Sequence, residues 1–185
     1  MYKIDNKYLT LEKLHKIVHE QLTVELSQDA TKRILDCRSF LDEKSNNSTP
    51  IYGVNTGFGS LCNESISKEY LEKLQVNLVI SHACGFGEEV PSSIVKLMLL
   101  LKIMSLSQGF SGVQLKTVNR LIDFYNEDIL PVVYQQGSLG ASGDLAPLAH
   151  LSLPLLGLGQ VYYKGQKVNS EHVLKEMAWK PIRLK

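Results

Sequence analysis

Apolar residues return every three or four positions through most of the chain. That is the spacing of helices buried along one face. After a short extended start, Thr10 offers the side chain of a helix N-cap, and Leu11, Leu14 and Val18 follow on one face. Residues 22–26 alternate apolar and polar like a short strand. Ser27 can cap a helix that carries Ala30, Ile34, Cys37 and Leu41 at helical spacing, and residues 45–50 form a polar loop. A helix starting near Ser67 lines up Leu71, Leu74 and Leu78, and Gly85 suits the left-handed position past its end. Pro91 opens the next helix at its first turn. Residues 94–106 are apolar on most faces, which predicts burial. Another helix is expected over 114–125. A further one starts at Asp144, where Pro147 is tolerable only in the first turn. Val161 to Val168 reads as a hairpin, and Ser170 as the cap of a short last helix. The fold is therefore expected to be mainly α, with a few short strands and no internal repeat.

With 185 residues, 44% hydrophobic and 21% charged, the chain has the make-up of one globular domain with a sizeable core. A net charge of +1 and the lack of a basic stripe with interleaved aromatics argue against nucleic acid or an anionic membrane as partner. The most apolar stretch, 94–106, is too short to span a bilayer and carries Lys96 and Lys102. Cys37, Cys62 and Cys84 are odd in number and form no Cys-x-x-Cys pair, which fits reduced thiols in a cytoplasmic protein. The first residues contain no apolar signal-peptide core. His15 and His19 lie four apart on the first helix, but no third ligand is near. They read as solvent-facing, and no metal site is expected.

The most informative chemistry lies in the run Gly137-Ser138-Leu139-Gly140-Ala141-Ser142-Gly143-Asp144-Leu145-Ala146-Pro147-Leu148. Ala141-Ser142-Gly143 is small enough for the backbone to fold onto itself. The Gly143 amide nitrogen can attack the Ala141 carbonyl carbon, and loss of water closes a five-membered ring. Loss of the Ser142 hydroxyl as a second water leaves an exocyclic methylidene, an electrophile that ordinary side chains do not supply. Gly143 has no side chain to block the attack, and Gly137 and Gly140 permit the sharp approach. A serine-hydrolase elbow is excluded, because Gly-x-Ser-x-Gly fails at Gln136 before Ser138 and at Asp144 after Ser142.

This run resembles the signature of the aromatic amino-acid ammonia-lyases, the histidine and phenylalanine ammonia-lyase family, in which Ala-Ser-Gly becomes 4-methylidene-imidazol-5-one (MIO). Two further motifs carry the same resemblance. Tyr52-Gly53-Val54-Asn55-Thr56-Gly57-Phe58-Gly59 is similar to a family loop in which the tyrosine matching Tyr52 removes the substrate's β-proton, with Asn55 beside it as a substrate contact. A phenol ionises near pH ~10, so such a base needs surroundings that favour its anion. Ser81-His82 matches the pair carried by histidine-specific members, where the aromatic lyases carry an aromatic or His followed by Leu. Imidazole needs a hydrogen-bonding partner in its pocket, whereas leucine suits a phenyl ring. Asp144 is implied to assist the dehydration that forms MIO, and it can also cap the helix that follows. Phe110, often Tyr in the family, and Tyr134, often Pro, depart from the pattern without touching the chemistry.

The resemblance spans essentially the whole chain. It implies the fumarase/aspartase-like (L-aspartase-like) ammonia-lyase fold, with residues 1–185 as its N-terminal, MIO-bearing domain. The ending Trp179-Lys180-Pro181-Ile182-Arg183-Leu184-Lys185 has no terminal character, and a C-terminal helical bundle is expected beyond it. The implied reaction is non-oxidative elimination of ammonia from L-histidine to give trans-urocanate, the first step of histidine degradation, with MIO as sole prosthetic group and a cytoplasmic homotetramer as the working form. The site residues would be Tyr52, Ala141, Ser142, Gly143 and Asp144 for catalysis, and Ser81, His82 and Asn55 for substrate. The alternatives are a phenylalanine or tyrosine lyase, an aminomutase, or a folded piece without activity of its own.

Overall fold

The computed structural model describes residues 1–5, 7–45, 50–59, 64, 66–138 and 145–184. In chain order the elements are β1 (Tyr2–Ile4), α1 (Leu11–His19), β2 (Val24–Leu26), α2 (Gln28–Ser45), α3 (Lys68–His82), β3 (Phe86–Glu89), α4 (Ser92–Ser107), α5 (Leu115–Asn126), β4 (Leu130–Pro131), β5 (Tyr134–Gln136), α6 (Leu145–Ser152), β6 (Gln160–Tyr163), β7 (Gln166–Asn169) and α7 (Ser170–Glu176). A 3-10 turn, Leu153–Leu156, follows α6 directly. The mainly helical expectation holds. No helix among the described residues is long and apolar enough to cross a membrane.

The core is built on α4 and α5. Val95, Leu99, Leu100 and Ile103 pack with Val118, Leu121, Phe124 and Tyr125 in one buried cluster. Each such side chain contributes about 1.5–3 kcal/mol by leaving water. The apolar stretch of α4 is not buried all round, as Ile94 and Leu101 remain exposed. On α1, Thr10 Oγ1 accepts from the Lys13 amide as expected, but Ile17 is the core residue, while Leu11 and Val18 face water. Which helix face is buried depends on where its partner lies, and β1 and β2 pair in parallel alongside α1. The Asn126 side chain clamps β2 from α5. Its Oδ1 accepts from the Val24 amide at 2.8 Å and its Nδ2 donates to the Val24 carbonyl at 3.0 Å.

Ser27 Oγ caps α2 by accepting from the Ala30 amide, and Ala30 and Ile34 are buried as read. Two arginines of α2 then hold the turn after α4. Arg33 Nη2 donates to the Ser107 carbonyl and Arg38 Nη1 to the Gly112 carbonyl, both at 3.3 Å. The predicted hairpin is present. β6 and β7 pair antiparallel through Lys164 and Gly165, both at positive φ as a type I′ turn requires, and β4 adds to its edge. Ser170 is the first helical residue of α7 rather than its cap. It is buried and donates its hydroxyl to the Leu158 carbonyl. Four of the six residues of the expected loop 45–50 lie outside the described residues.

Candidate active site

α3 delivers Ser81 and His82 on its last turn. His82 Nδ1 sits 2.8 Å from the Leu78 carbonyl. A carbonyl only accepts, so in the neutral ring Nδ1 carries the proton and Nε2 is left as an acceptor. Ser81 Oγ donates to the same carbonyl at 3.1 Å and lies 3.2 Å from His82 Nδ1, so it braces the same edge of the ring.

The chain then turns through Cys84 and Gly85 into β3. Gly85 is not left-handed, contrary to expectation, and is needed for a different reason. A Cβ there would meet the His150 ring at 2.9 Å and the Tyr134 Cβ at 3.1 Å. β3 pairs antiparallel with β5, and β5 leads into Gly137, whose φ is +129°. A Cβ on Gly137 would lie 2.7 Å from the Gly85 Cα, so two glycine backbones touch where the strands meet. Beyond Gly137, Ser138 Oγ accepts from the Ala146 amide at 3.2 Å. This satisfies one of the orphan donors at the start of α6 from the far side of residues 139–144. The two stems of that segment are thereby joined.

Ser81, His82, Cys84, Gly137, Ser138, Leu145 and Ala146 line one recess of about 230 Å³. The structure thus brings the Ser81–His82 pair against both stems of the segment that contains Ala141, Ser142, Gly143 and Asp144. Those four residues lie outside the described ones. A group formed from the backbone of 141–143 fits this setting, because the stems on either side of it are tied together by Ser138 and Ala146 and both line the recess.

Tyr52 and Asn55 are not among the residues lining the recess. Their loop packs against the middle of α3, where Gln75 Nε2 donates to the Gly53 carbonyl at 3.4 Å. Gly53 and Glu64 help fold it. Gly53 adopts φ +76°, and the Gly57 amide donates to the Glu64 carbonyl. Asn55 is 7% exposed and its Oδ1 accepts from the Ile51 amide at 2.6 Å, so it braces the turn that carries Tyr52. Tyr52 is 64% exposed, with its ring edge-on to Phe58. Gly53, Val54 and Gln75 line a second cavity of about 300 Å³ together with Arg38, Gln114 and Leu184. The seven residues from Gln75 to His82 advance along α3 by about 10 Å, so one helix carries the loop at one point and the recess at the other.

His150, to which the sequence analysis gives no role, stands behind Gly85. It is 8% exposed, on the second turn of α6, and its Nε2 accepts from the Gly85 amide at 2.9 Å. Burial lowers its pKa, which keeps it neutral. Nothing local to His150 in the sequence signals a partner so far upstream. The free thiols among the described residues are Cys37 and Cys84, and Cys84 Sγ points to the Gly137 carbonyl at 3.8 Å.

Residues 9–185 match the family model described as aromatic amino acid lyase, and the chain belongs to that family. It is similar to histidine ammonia-lyase of Legionella pneumophila (strain Paris), at 47% identity over 176 residues, covering 95% of this chain and 35% of that protein. Among solved structures, histidine ammonia-lyase from Trypanosoma cruzi superposes with a TM-score of 0.87 at 34% identity, covering 98% of this chain and 35% of the other. Phenylalanine aminomutase of Pantoea agglomerans superposes with a TM-score of 0.93 at 29% identity, covering 100% and 36%. The chain therefore spans about a third of the length of the curated relatives it matches.

Proposed function

We propose that the chain supplies the MIO-bearing part of a histidine ammonia-lyase, which converts L-histidine to trans-urocanate and ammonia. The observation that carries this reading is the recess in which Ser81 and His82 face both stems of residues 139–144. Ala141, Ser142 and Gly143 would form MIO, and Asp144 would assist the two dehydrations. When formed, the group supplies an electrophilic carbon to the substrate amine and makes nitrogen a better leaving group. His82 presents Nε2 as an acceptor to the imidazole N–H of the substrate, and Ser81 holds that ring orientation. A phenyl ring would leave this acceptor unpaired, which is how a buried polar group discriminates against an apolar substrate. Tyr52 takes the β-proton, and Asn55 holds the Tyr52 loop and contacts substrate.

Because the curated relatives are about three times as long, the 185 residues act in this reading as an N-terminal domain. It is completed by a helical bundle in a cytoplasmic homotetramer. The exposure of Tyr52 supports this, since a general base works inside a closed site rather than in open water. The 185-residue chain alone is accordingly expected to turn over negligibly. The test is release of urocanate, followed by its near-ultraviolet absorbance. Urocanate from the completed enzyme supports the reading. Release of cinnamate or coumarate, or of a β-amino acid, would instead assign the alternative lyases or an aminomutase.

A further inference from the structure

The structure contains a closed circuit of contacts around the recess, and one residue joins its two halves. From the end of α3 the circuit runs through Cys84 to Gly85, whose amide donates to His150 Nε2 at 2.9 Å. From His150 it runs up α6 to Ala146, whose amide is held by Ser138 Oγ. It returns through Gly137, whose backbone touches Gly85. His150 occupies the space where any side chain on Gly85 would stand, and the Tyr134 ring packs edge-on against it at 5.2 Å.

We propose that His150, as the neutral Nδ1–H tautomer, is a positioning residue for ring closure. Through the Gly85 amide it sets the spacing between the His82 end of α3 and the Gly137–Ser138 stem. This inference rests on the reading above that Ala141-Ser142-Gly143 cyclises. Attack of the Gly143 nitrogen on the Ala141 carbonyl forms one C–N bond; the carbonyl oxygen leaves as water with the Gly143 and Ser142 amide hydrogens, and the bond from the Ala141 carbon to the Ser142 nitrogen becomes double. Elimination of the Ser142 hydroxyl with its α-hydrogen releases the second. His150 takes part in neither step. It fixes the separation of the two stems, and small displacements of groups that must react between them are expensive in rate.

The test uses His150→Phe and His150→Gln in the full chain. Phenylalanine keeps the ring volume and removes the acceptor, whereas glutamine returns an acceptor oxygen near the Nε2 position. Intact mass is followed after synthesis for loss of two waters, and nitrogen NMR with amide hydrogen exchange reads the His150 ring and the Gly85 N–H. The expected result is that His150→Phe slows water loss on the order of tenfold to a hundredfold, while His150→Gln stays close to wild type. In the wild type, Nε2 is bare and the Gly85 amide exchanges slowly. A role confined to filling space predicts the reverse order, with Phe outperforming Gln, and that order overturns the proposal. So does a ring protonated on Nε2, or a Gly85 amide that exchanges as in an open chain. A wild-type chain that keeps both waters while its Gly85 amide is protected overturns the MIO reading itself, and with it any closure for His150 to position. Normal water loss in both variants overturns the positioning role alone.

Discussion

The α4–α5 core and the recess at the end of α3 are held by different forces. In the core, Val95, Leu99, Leu100 and Ile103 are at most 1% exposed and belong to one buried hydrophobic cluster. Non-directional burial gives that region its stability. At the recess, Ser81 and Cys84 are exposed and His82 is half-buried, and position comes from single hydrogen bonds and two touching glycines. One region can absorb a small change in shape at a cost in stability. The other has little stability to lose, but its geometry is specific. Substitutions should therefore separate, with chemistry failing in one set and folding in the other.

The largest effect is expected at Ser142. Ser142→Ala removes the hydroxyl that must leave, so the chain has no second water to lose and the completed enzyme forms no urocanate, with its melting temperature unchanged. Turnover near wild type would remove the basis for MIO. Next is Tyr52→Phe. Its hydroxyl is on an exposed side chain, so folding and ring closure should be unaffected, while turnover falls by about a hundredfold to ten-thousandfold, the usual worth of a general base. A loss below about tenfold would point to another base.

Leu99→Ala is the counterpart in the core. Denaturant unfolding should show a loss of about 2–5 kcal/mol, while any chain still folded should lose its two waters normally. Failure of ring closure in folded Leu99→Ala would mean that core and recess are not separate. A smaller effect is the response to acid. Burial lowers the His150 pKa from its ordinary 6.5, so below pH 6.5 the unfolded chain binds a proton that the folded chain refuses. Stability is then full above pH 6.5 and is lost as pH falls from there toward the depressed value. The side chains sharing a small cavity with the ring, Val132, Tyr134, Leu153 and Gln160, include no carboxylate or amine to offset this. His150→Gln should flatten that part of the stability–pH curve, and an unchanged slope would assign it to other groups. The smallest effect is expected at Glu89, which joins β3 to the β6–β7 hairpin through Lys167 and the Tyr162 hydroxyl. Lys167 and Tyr162 lower its pKa, but the pair is partly exposed, so Glu89→Gln should cost at most about 1 kcal/mol in urea.

The sequence made the helices and the hairpin legible because their signals are local. Thr10 and Ser27 announce caps, and Lys164-Gly165 announces a turn. β3 and β5 were not legible. Phe86-Gly87-Glu88-Glu89 shows no alternation, and its partner strand begins at Tyr134. Gly85 was read as a helix terminator, whereas its need comes from a histidine ring 65 residues later. Of the candidate site, Ser81 and His82 are read from their motif, and the structure adds which ring nitrogen is left as an acceptor. That Asn55 braces a turn, and that Ser138 ties residues 139–144 at the base, depends on three-dimensional partners that no local spacing encodes.

The contact between Gly85 and Gly137 also bears on how this protein can drift. A methyl group added at Gly137 would collide with the backbone of Gly85, and one added at Gly85 would collide with His150. Neither glycine can be exchanged alone, and shrinking His150 to make room for one forfeits the acceptor for the Gly85 amide. Positions 85, 137 and 150 are thus locked as a set. In a library of random variants selected for ring closure, Gly85 and Gly137 should stay unchanged and position 150 should keep an acceptor for the Gly85 amide, as histidine or glutamine, while exposed apolar positions such as Leu11 and Phe110 wander freely.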